Sequence, residues 1–319
     1  MWESNRERGL GKQGFPQDQF GTALFLHTGL VYNEDIMKKT VVIVPLNDPE
    51  AVLISQLAEA LGLPVIKSQQ PHGASLDKGR DFVTAVCEEN YKRVVVVEMP
   101  GPKSEVAIKE AGIELVIIDH HHYDDLDRAR DKKTGKLLYS SLEQFLKLFR
   151  LGDARLKKMG FNPRLVRGIG LMDRGFVWAL ERAHYSPKEV KAVLAYWREL
   201  MRVVKEPKNE KEKQKIVQAA WDQRKKWHEF FVVQDESHVG LRSKVSLLVA
   251  EVIGKPTPLI VVEKKRGFIY VQESAYAQRL LKRFGGFTFG MERNWGYRNA
   301  GARKKVSLDD LKDFLTAVE

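Results

Sequence analysis

Cysteine is nearly absent: the chain has one, Cys87, among 319 residues. That excludes a disulfide framework and any zinc site built from cysteines alone. Nor does any apolar run approach the roughly 18 residues of a membrane-spanning helix, so the expectation is a cytoplasmic protein with no membrane partner. Negative charge is also in deficit, with 42 Asp and Glu against 53 Lys and Arg and a formal net charge of +11. This favours an anionic partner without deciding between nucleic acid, a nucleotide and a lipid surface. A chain of this length, 43% hydrophobic, has enough material for about two buried cores without covalent staples. Its many charged residues and single cysteine match a thermophile's composition.

The cations are unevenly distributed. Between residues 264 and 305, eleven Lys and Arg face only Glu273 and Glu292, and eight aromatic residues interleave with them. Cations for phosphates and flat rings for bases are what a single-stranded nucleic acid requires. A solvated surface over an aromatic core would have the same composition, so the segment alone leaves both readings open.

Residues 1–36 form an irregular leader with no sustained period, and its Gly9, Gly11 and Gly14 follow no strand, so they imply no phosphate loop. Folding is expected to begin near Met37. From there short β-branched runs at 41–44, 63–66, 93–97 and 115–118 alternate with amphipathic helices at 49–61, 78–89 and 104–111, the last capped by Ser104. This alternation argues for a parallel sheet covered on both faces. Helices at 141–151, 162–183 and 187–203 follow, so a first domain spans 37–204. Residues 205–228 read as a linker or connecting helix. A smaller α/β domain occupies 229–319, with strands at 230–233, 259–262 and 268–271 and a helix at 275–284. Cys87 is expected as a small core residue of its helix.

In such sheets chemistry gathers at the carboxyl ends of the strands. Here the run Val116-Ile117-Ile118 delivers Asp119, His120, His121 and His122 at one strand end. Asp48 and Glu50 follow the first strand, and Glu98 ends the buried run Val94-Val95-Val96-Val97. Each acid alone could be a helix cap. Aimed together at one sheet edge, they would repel unless a cation sat among them, and imidazole with carboxylate suits a divalent transition metal. Asp173, in Gly168-Ile169-Gly170-Leu171-Met172-Asp173, adds an acid within a largely apolar helix.

An acid pair, a further acid, Asp-His-His and Gly-Ile-x-x-x-Asp, in that order after a Rossmann-like start, resemble the DHH phosphoesterase superfamily. That superfamily includes RecJ-type exonucleases, oligoribonucleases, cyclic dinucleotide phosphodiesterases and inorganic pyrophosphatases. Phe284-Gly285-Gly286-Phe287 and Gly296-Tyr297-Arg298-Asn299-Ala300-Gly301 resemble the glycine-rich part of its DHHA1 substrate-binding domain. The resemblance implies a Rossmann-like parallel-sheet DHH domain followed by a smaller α/β DHHA1-like domain. It also implies two-metal hydrolysis, with Mn²⁺ expected and Mg²⁺ or Co²⁺ as alternatives. One ion would be held by Glu50, Glu98, His120 and Asp173, the other by Asp48 and Glu98. His121 would stabilise charge or donate a proton at the scissile phosphate, Asp119 would orient the histidines, and His122 would be incidental. Substrate would be held by Arg283, Gly285, Gly286, Arg293, Asn294, Trp295, Arg298, Gly301 and Arg303, with a base stacked on Trp295 or Phe287.

The chain also departs from the family pattern. Val44 stands where the first motif has histidine, Glu50 and Glu98 replace aspartates, and Gly296 takes the place of the C-terminal histidine. Each added methylene lengthens reach by more than the usual tolerance of metal–ligand distances. Three readings follow: a metal-dependent exonuclease on single-stranded DNA or RNA, a phosphodiesterase of short oligoribonucleotides or cyclic dinucleotides, and a degenerate scaffold that binds nucleic acid or a replication or repair partner. The resemblance further suggests self-association and a helicase partner, as in archaeal RecJ-like paralogues, one of which associates with Hef.

Overall fold

The computed structural model describes residues 39–318, apart from 80, 124, 125, 205, 206 and 291. The leader, its glycines and Met37 lie outside the described residues. No helix among those described is long and apolar enough to cross a membrane.

The chain enters on β1 (Thr40–Pro45), whose six residues are all buried, and turns into α1 (Pro49–Ala60). β2 (Val65–Ser68) follows, two residues later than the sequence predicts. Closing α1 accounts for the delay: Gly62 adopts φ 73°, and the Leu63 amide donates back to the Ala58 carbonyl. A 3-10 turn and α2 (Asp81–Glu88) lead to β3 (Arg93–Val97), then α3 (Pro102–Glu110) and β4 (Glu114–Ile118). α3 starts at Pro102 rather than at Ser104, because proline fixes the first helical φ and Asp77 of the 3-10 turn accepts from the Lys103 and Ser104 amides. Cys87 is exposed rather than a core residue, because α2 buries Val86 in its last turn.

The four strands form a wholly parallel sheet in the order β2-β1-β3-β4. Alternation along β1 and β3 divides the core in two. Val42, Val44, Val95 and Val97 face the layer that holds α1, and Val41, Ile43, Val94 and Val96 face the layer of α2 and α3. A small hairpin, β5 (His122–Tyr123) with β6 (Leu126–Asp127), precedes the helical part. There α4 (Ser141–Leu148) opens on a capping box between Ser140 and Glu143 and ends three residues short of the predicted 141–151 helix, and a short α5 (Asp153–Lys158) that the sequence pattern does not predict follows. α6 (Pro163–Arg182) and α7 (Pro187–Met201) complete the α1 layer. α6 is broken at Gly175 (φ −152°) and Phe176 (φ 53°), directly after Asp173 and Arg174.

α8 (Pro207–Asp222) leads to a six-stranded sheet built from β7 (Lys225–Trp227), β8 (Phe230–Asp235), β9 (Leu259–Glu263), β10 (Phe268–Gln272), β11 (Phe287–Phe289) and β12 (Asn294–Arg298). Its order is β11-β12-β10-β9-β8-β7, with only β8 and β9 parallel. α9 (Arg242–Ile253) packs with α8 on one face, where Trp221, Val245 and Val261 are buried. α10 (Ala277–Phe284) and α11 (Leu308–Val318) cover the other face around Trp295, Leu280 and Leu315. The molecule is therefore a parallel-sheet α/β unit followed by a second, mixed-sheet α/β unit.

Gly168 lets α6 approach α7, since a Cβ there would lie 2.4 Å from Val193 Cγ2. Gly168→Ala should destabilise the protein by about 1–3 kcal/mol through overpacking. Adding Val193→Ala should recover part of that loss, and urea denaturation of the two single variants and the double variant measures the coupling.

Candidate metal centre

Three adjacent parallel strands deliver the acids. After β1, Asp48 caps α1 by accepting from the Ala51 amide (2.8 Å), and Glu50 falls in the first turn of that helix. Glu50 is 1% exposed, and its Oε1 accepts from the Leu142 amide of α4 (2.8 Å). Glu98 ends β3 with φ 49°, its amide held by the Ile118 carbonyl, and is 8% exposed. After β4 come Asp119 and His120, and Asp173 reaches in from the turn of α6 just before its break.

His120 Nε2 lies 2.7 Å from Asp173 Oδ2, 3.4 Å from Glu98 Oε1 and 3.7 Å from Glu50 Oε2. Ligand atoms of these four residues all fall within 4.8 Å of one another, as do those of Glu98, His120 and His121 in an overlapping set. Glu50 Oε2 and Glu98 Oε1 are buried without a hydrogen-bond partner, and His120 Nε2 stands beside them, shared with Asp173. Buried open oxygens grouped around an imidazole nitrogen are the donor set of a divalent transition metal, and the residues fit one. Asp48 stands apart from both sets, engaged by its cap, although its carboxylate feels those of Glu98 and Asp173.

The electrostatics describe a crowded anionic site. Burial first, then the carboxylates of Asp173, Glu98 and Asp48, push Glu50 well above the usual range. Burial, Glu98 and Asp173 do the same to Asp48. Burial also opposes charge on His120, but hydrogen bonds and attraction to Asp173 and Glu98 prevail and raise it to about 10. Glu98 is held below its ordinary value despite its burial, because His120 and His121 stand beside it. Asp119, 3% exposed, accepts from the His121 amide (3.0 Å) and the Tyr123 hydroxyl (3.0 Å) and sits 3.2 Å from His121 Nδ1. It therefore fixes the ring of His121. His122 is largely exposed beside Asp127.

A cavity of about 1200 Å³ opens from this centre toward the second unit. Of the sequence-derived site residues, His120, His121, Asp173 and Asn294 line it, whereas Arg283, Gly285, Gly286, Arg293, Trp295, Arg298, Gly301 and Arg303 do not. Trp295 is fully buried with its indole N–H donated to the Gly285 carbonyl (2.7 Å), so its ring is closed to a base, while Phe287 keeps 38% exposure. A Cβ at Gly286 would lie 2.3 Å from the Gly296 carbonyl oxygen, which makes this glycine a packing requirement of the sheet edge. Asn294 is spent on backbone, accepting from the Glu273 amide and donating to the Phe289 carbonyl. Arg293 stacks on Trp178 of α6 (4.1 Å). The cations that do line the cavity are Arg130, Arg174, Arg182 and Arg242, together with Gln272, Glu273, Phe176 and Phe289. Sequence reasoning missed the four arginines because the dense basic run drew attention downstream. Arg174, adjacent to Asp173, was the one such signal on view.

No family model matches the chain, and no curated protein does. Among solved structures it is similar to a DHH-domain protein described as a member of a family of ribosomal proteins, at 12% identity over 88% of this chain and 86% of that one, with a TM-score of 0.46. It is also similar to RecJ from Thermus thermophilus bound to Mn²⁺, at 14% identity over 83% of this chain and 50% of that one (TM-score 0.37). A third is a pGpG-specific phosphodiesterase from Vibrio cholerae, at 10% identity over 88% and 97% (TM-score 0.39).

If the cluster holds a metal, saturating Mn²⁺ should raise the melting temperature by on the order of 5 °C. Glu50→Gln keeps the acceptor for Leu142 and replaces an ionisable carboxyl, which burial and its neighbours push toward protonation, with a neutral amide. It should melt no lower than the parent without metal and lose the Mn²⁺-induced rise, and an undiminished rise would exclude Glu50 as a ligand. Glu273 gives a second expectation. Burial raises its carboxyl to about 8, with Arg293 opposing and Glu181 reinforcing. The folded state thus keeps a proton that the unfolded chain releases, and stability falls as pH rises from about 4.5 toward 8, by about 1.4 kcal/mol per unit of separation. Urea midpoints at pH 5 and pH 8 should differ less in Glu273→Gln than in the parent.

Proposed function

We propose that the chain is a metal-dependent phosphodiesterase that hydrolyses single-stranded nucleic acid from an end, in the manner of RecJ-type exonucleases. The observation that carries this reading is the convergence of Glu50 Oε2 and Glu98 Oε1, buried and unpartnered, with His120 Nε2 and Asp173 at the end of an arginine-lined cavity. The motif order that resembles the DHH phosphoesterases supports it.

Glu50, Glu98, His120 and Asp173 would hold a divalent ion, which when bound would supply Lewis acidity and activate a water at neutral pH. Arg174, Arg182 and Arg242 neutralise substrate phosphates that would otherwise be repelled by the acid cluster. His121 is carried on the cavity wall with its Nδ1 beside Asp119 Oδ1. Burial disfavours its charge, but the hydrogen bond to Asp119 and attraction to Glu98 raise its pKa, which favours the protonated ring as a donor to a phosphate or leaving oxygen. Asp119 is the positioning residue in this pair. The proposed second ion would be held by Asp48 and Glu98, and the cap of α1 uses Asp48 Oδ1 alone, leaving Oδ2 for it.

A second reading, in which the substrate is an oligonucleotide of a few residues, is favoured by the position of the basic run. Arg283, Arg298 and Arg303 do not line the cavity, so they offer no grip on a substrate that ends inside it.

The test is release of nucleotides from labelled long DNA, long RNA and dinucleotides with Mn²⁺, Mg²⁺ or Co²⁺. His120→Ala and Asp173→Ala should each lower kcat by at least ~100-fold, whereas an Arg283→Ala, Arg303→Ala double variant should affect long strands only. Full activity in both metal-ligand variants would sink the proposal, and absence of hydrolysis with every metal would leave a binding scaffold.

A further inference from the structure

Two buried glutamates in this molecule share an unusual state. Among the described non-glycine residues with positive φ, only Glu98 and Glu273 are buried. Each lies at the carboxyl end of a strand, Glu98 directly after β3 and Glu273 directly after β10, and each leaves one carboxylate oxygen without a partner. At Glu98 the metal centre accounts for the strain and the open oxygen. At Glu273 no metal does so, since no candidate ligand group among the described residues includes it.

Glu273 is not isolated. Gln272 Oε1 and Ser246 Oγ are also buried and unpartnered, and all three residues line the cavity that reaches His120 and Asp173. Exposure is 4% for Glu273, 3% for Gln272 and 4% for Ser246. The backbone is held in place, because the Glu273 amide donates to Asn294 Oδ1 (2.9 Å) and the Ser274 amide to the Arg293 carbonyl (2.9 Å). Arg293 does not form an ion pair with the Glu273 carboxyl and stacks on Trp178 instead. Three buried polar atoms left open in one cavity cost stability that a ligand able to hydrogen-bond with them would restore.

We infer that Ser246, Gln272 and Glu273 form a recognition recess for an uncharged, hydrogen-bond-donating part of the substrate, either the ribose hydroxyl pair or the imino and amino edge of guanine. The inference rests on the phosphodiesterase reading, because the cavity joins the recess to the metal centre. The ionised carboxylate places two oxygens side by side to match two adjacent donors, as a vicinal diol or the guanine edge provides, and such a ligand displaces the proton that burial otherwise holds on Glu273. Phe176 of α6 and Phe289 of β11, which also line the cavity, supply flat faces for the nucleoside. Glu273 then sets specificity without touching the reacting atoms.

Calorimetric titration of the full chain with guanosine, inosine and 2′-deoxyguanosine 5′-monophosphates, in the presence of Mn²⁺, tests this. Glu273→Gly removes both acceptors and relieves the positive φ. It should weaken guanosine monophosphate binding at least ~10-fold while melting at or above the parent, a pairing that a purely structural role would not give. Glu273→Gln should bind with intermediate affinity. In the parent, a matching loss with inosine monophosphate assigns the recess to guanine, and a loss with the 2′-deoxy compound assigns it to ribose. Equal affinity of parent and Glu273→Gly, or equal affinity of the parent for all three nucleotides, would overturn the inference. Hydrolysis of oligonucleotides, assayed in parallel, separates the two readings. Activity with Glu273-independent binding defeats the recess alone, and Glu273-dependent binding without any hydrolysis defeats the phosphodiesterase.

Discussion

Mutual repulsion of carboxylates at the edge of the parallel sheet is the constraint on which the first unit depends. β1, β3 and β4 are neighbours, so whatever follows each strand at its carboxyl end is brought close to the rest. Here the followers are Asp48 and Glu50, Glu98, and Asp119 with His120. Asp173 would be remote if α6 lay elsewhere. Taking such charges from water is expensive, and the hydrogen bonds from Leu142 and Ala51 offset only part of that cost. His120 and His121 provide the positive charge that the chain itself can offer.

The same constraint explains where the backbone is strained. A residue ending a parallel strand normally continues away from the sheet, whereas Glu98 turns into the left-handed region at a cost of order ~1–3 kcal/mol. The Val97 side of that turn is locked in the core, and the Glu98 amide is held by Ile118. At Phe176 the break in α6 comes two residues after Arg174, so one helix presents Asp173 to the metal centre and then redirects its chain along the cavity wall. In all three places the unfavourable φ is held by rigid neighbours: β3 under Glu98, the α1-layer core under Phe176, and β10 with Asn294 at Glu273.

What the sequence made legible was the part governed by short-range pattern. Runs of Val and Ile mark β1, β3 and β4 because both faces of that sheet are covered, and the acids immediately after them need no long-range information to be placed at one edge. Asp173 was readable because an acid in an apolar helix has few structural excuses. Less was visible in the second unit. Trp295 and Phe287 occur in one aromatic run, yet register puts Trp295 under the sheet and leaves Phe287 partly open, a distinction set by strand pairing that composition does not encode. Glu273 went unnoticed as a site residue because its significance lies in φ and in an unmade hydrogen bond. The break in α6 was hidden for a related reason, since Gly175 is tolerated inside many helices and only the tertiary path decides whether it bends.

The net positive charge and the arginines of the cavity act over different ranges. Charges on Arg283, Arg298 and Arg303 are solvated and screened beyond roughly 8–10 Å, so on the function proposed they would act in the encounter with an anionic chain more than in its final pose. Arg174 is held by geometry, with its guanidinium 5.2 Å above the Tyr139 ring and 3.6 Å from Glu143. Arg242 lies 4.7 Å above Phe289 on the opposing unit. Stacked guanidinium groups keep their planar forks oriented, as freely rotating lysines would not. On the function proposed, a phosphate entering between them would meet cations from both units before it reached the acids. That electrostatic path depends on how α6 and α9 face each other, so the kink after Arg174 positions both Asp173 in the acid cluster and Arg174 on the cavity.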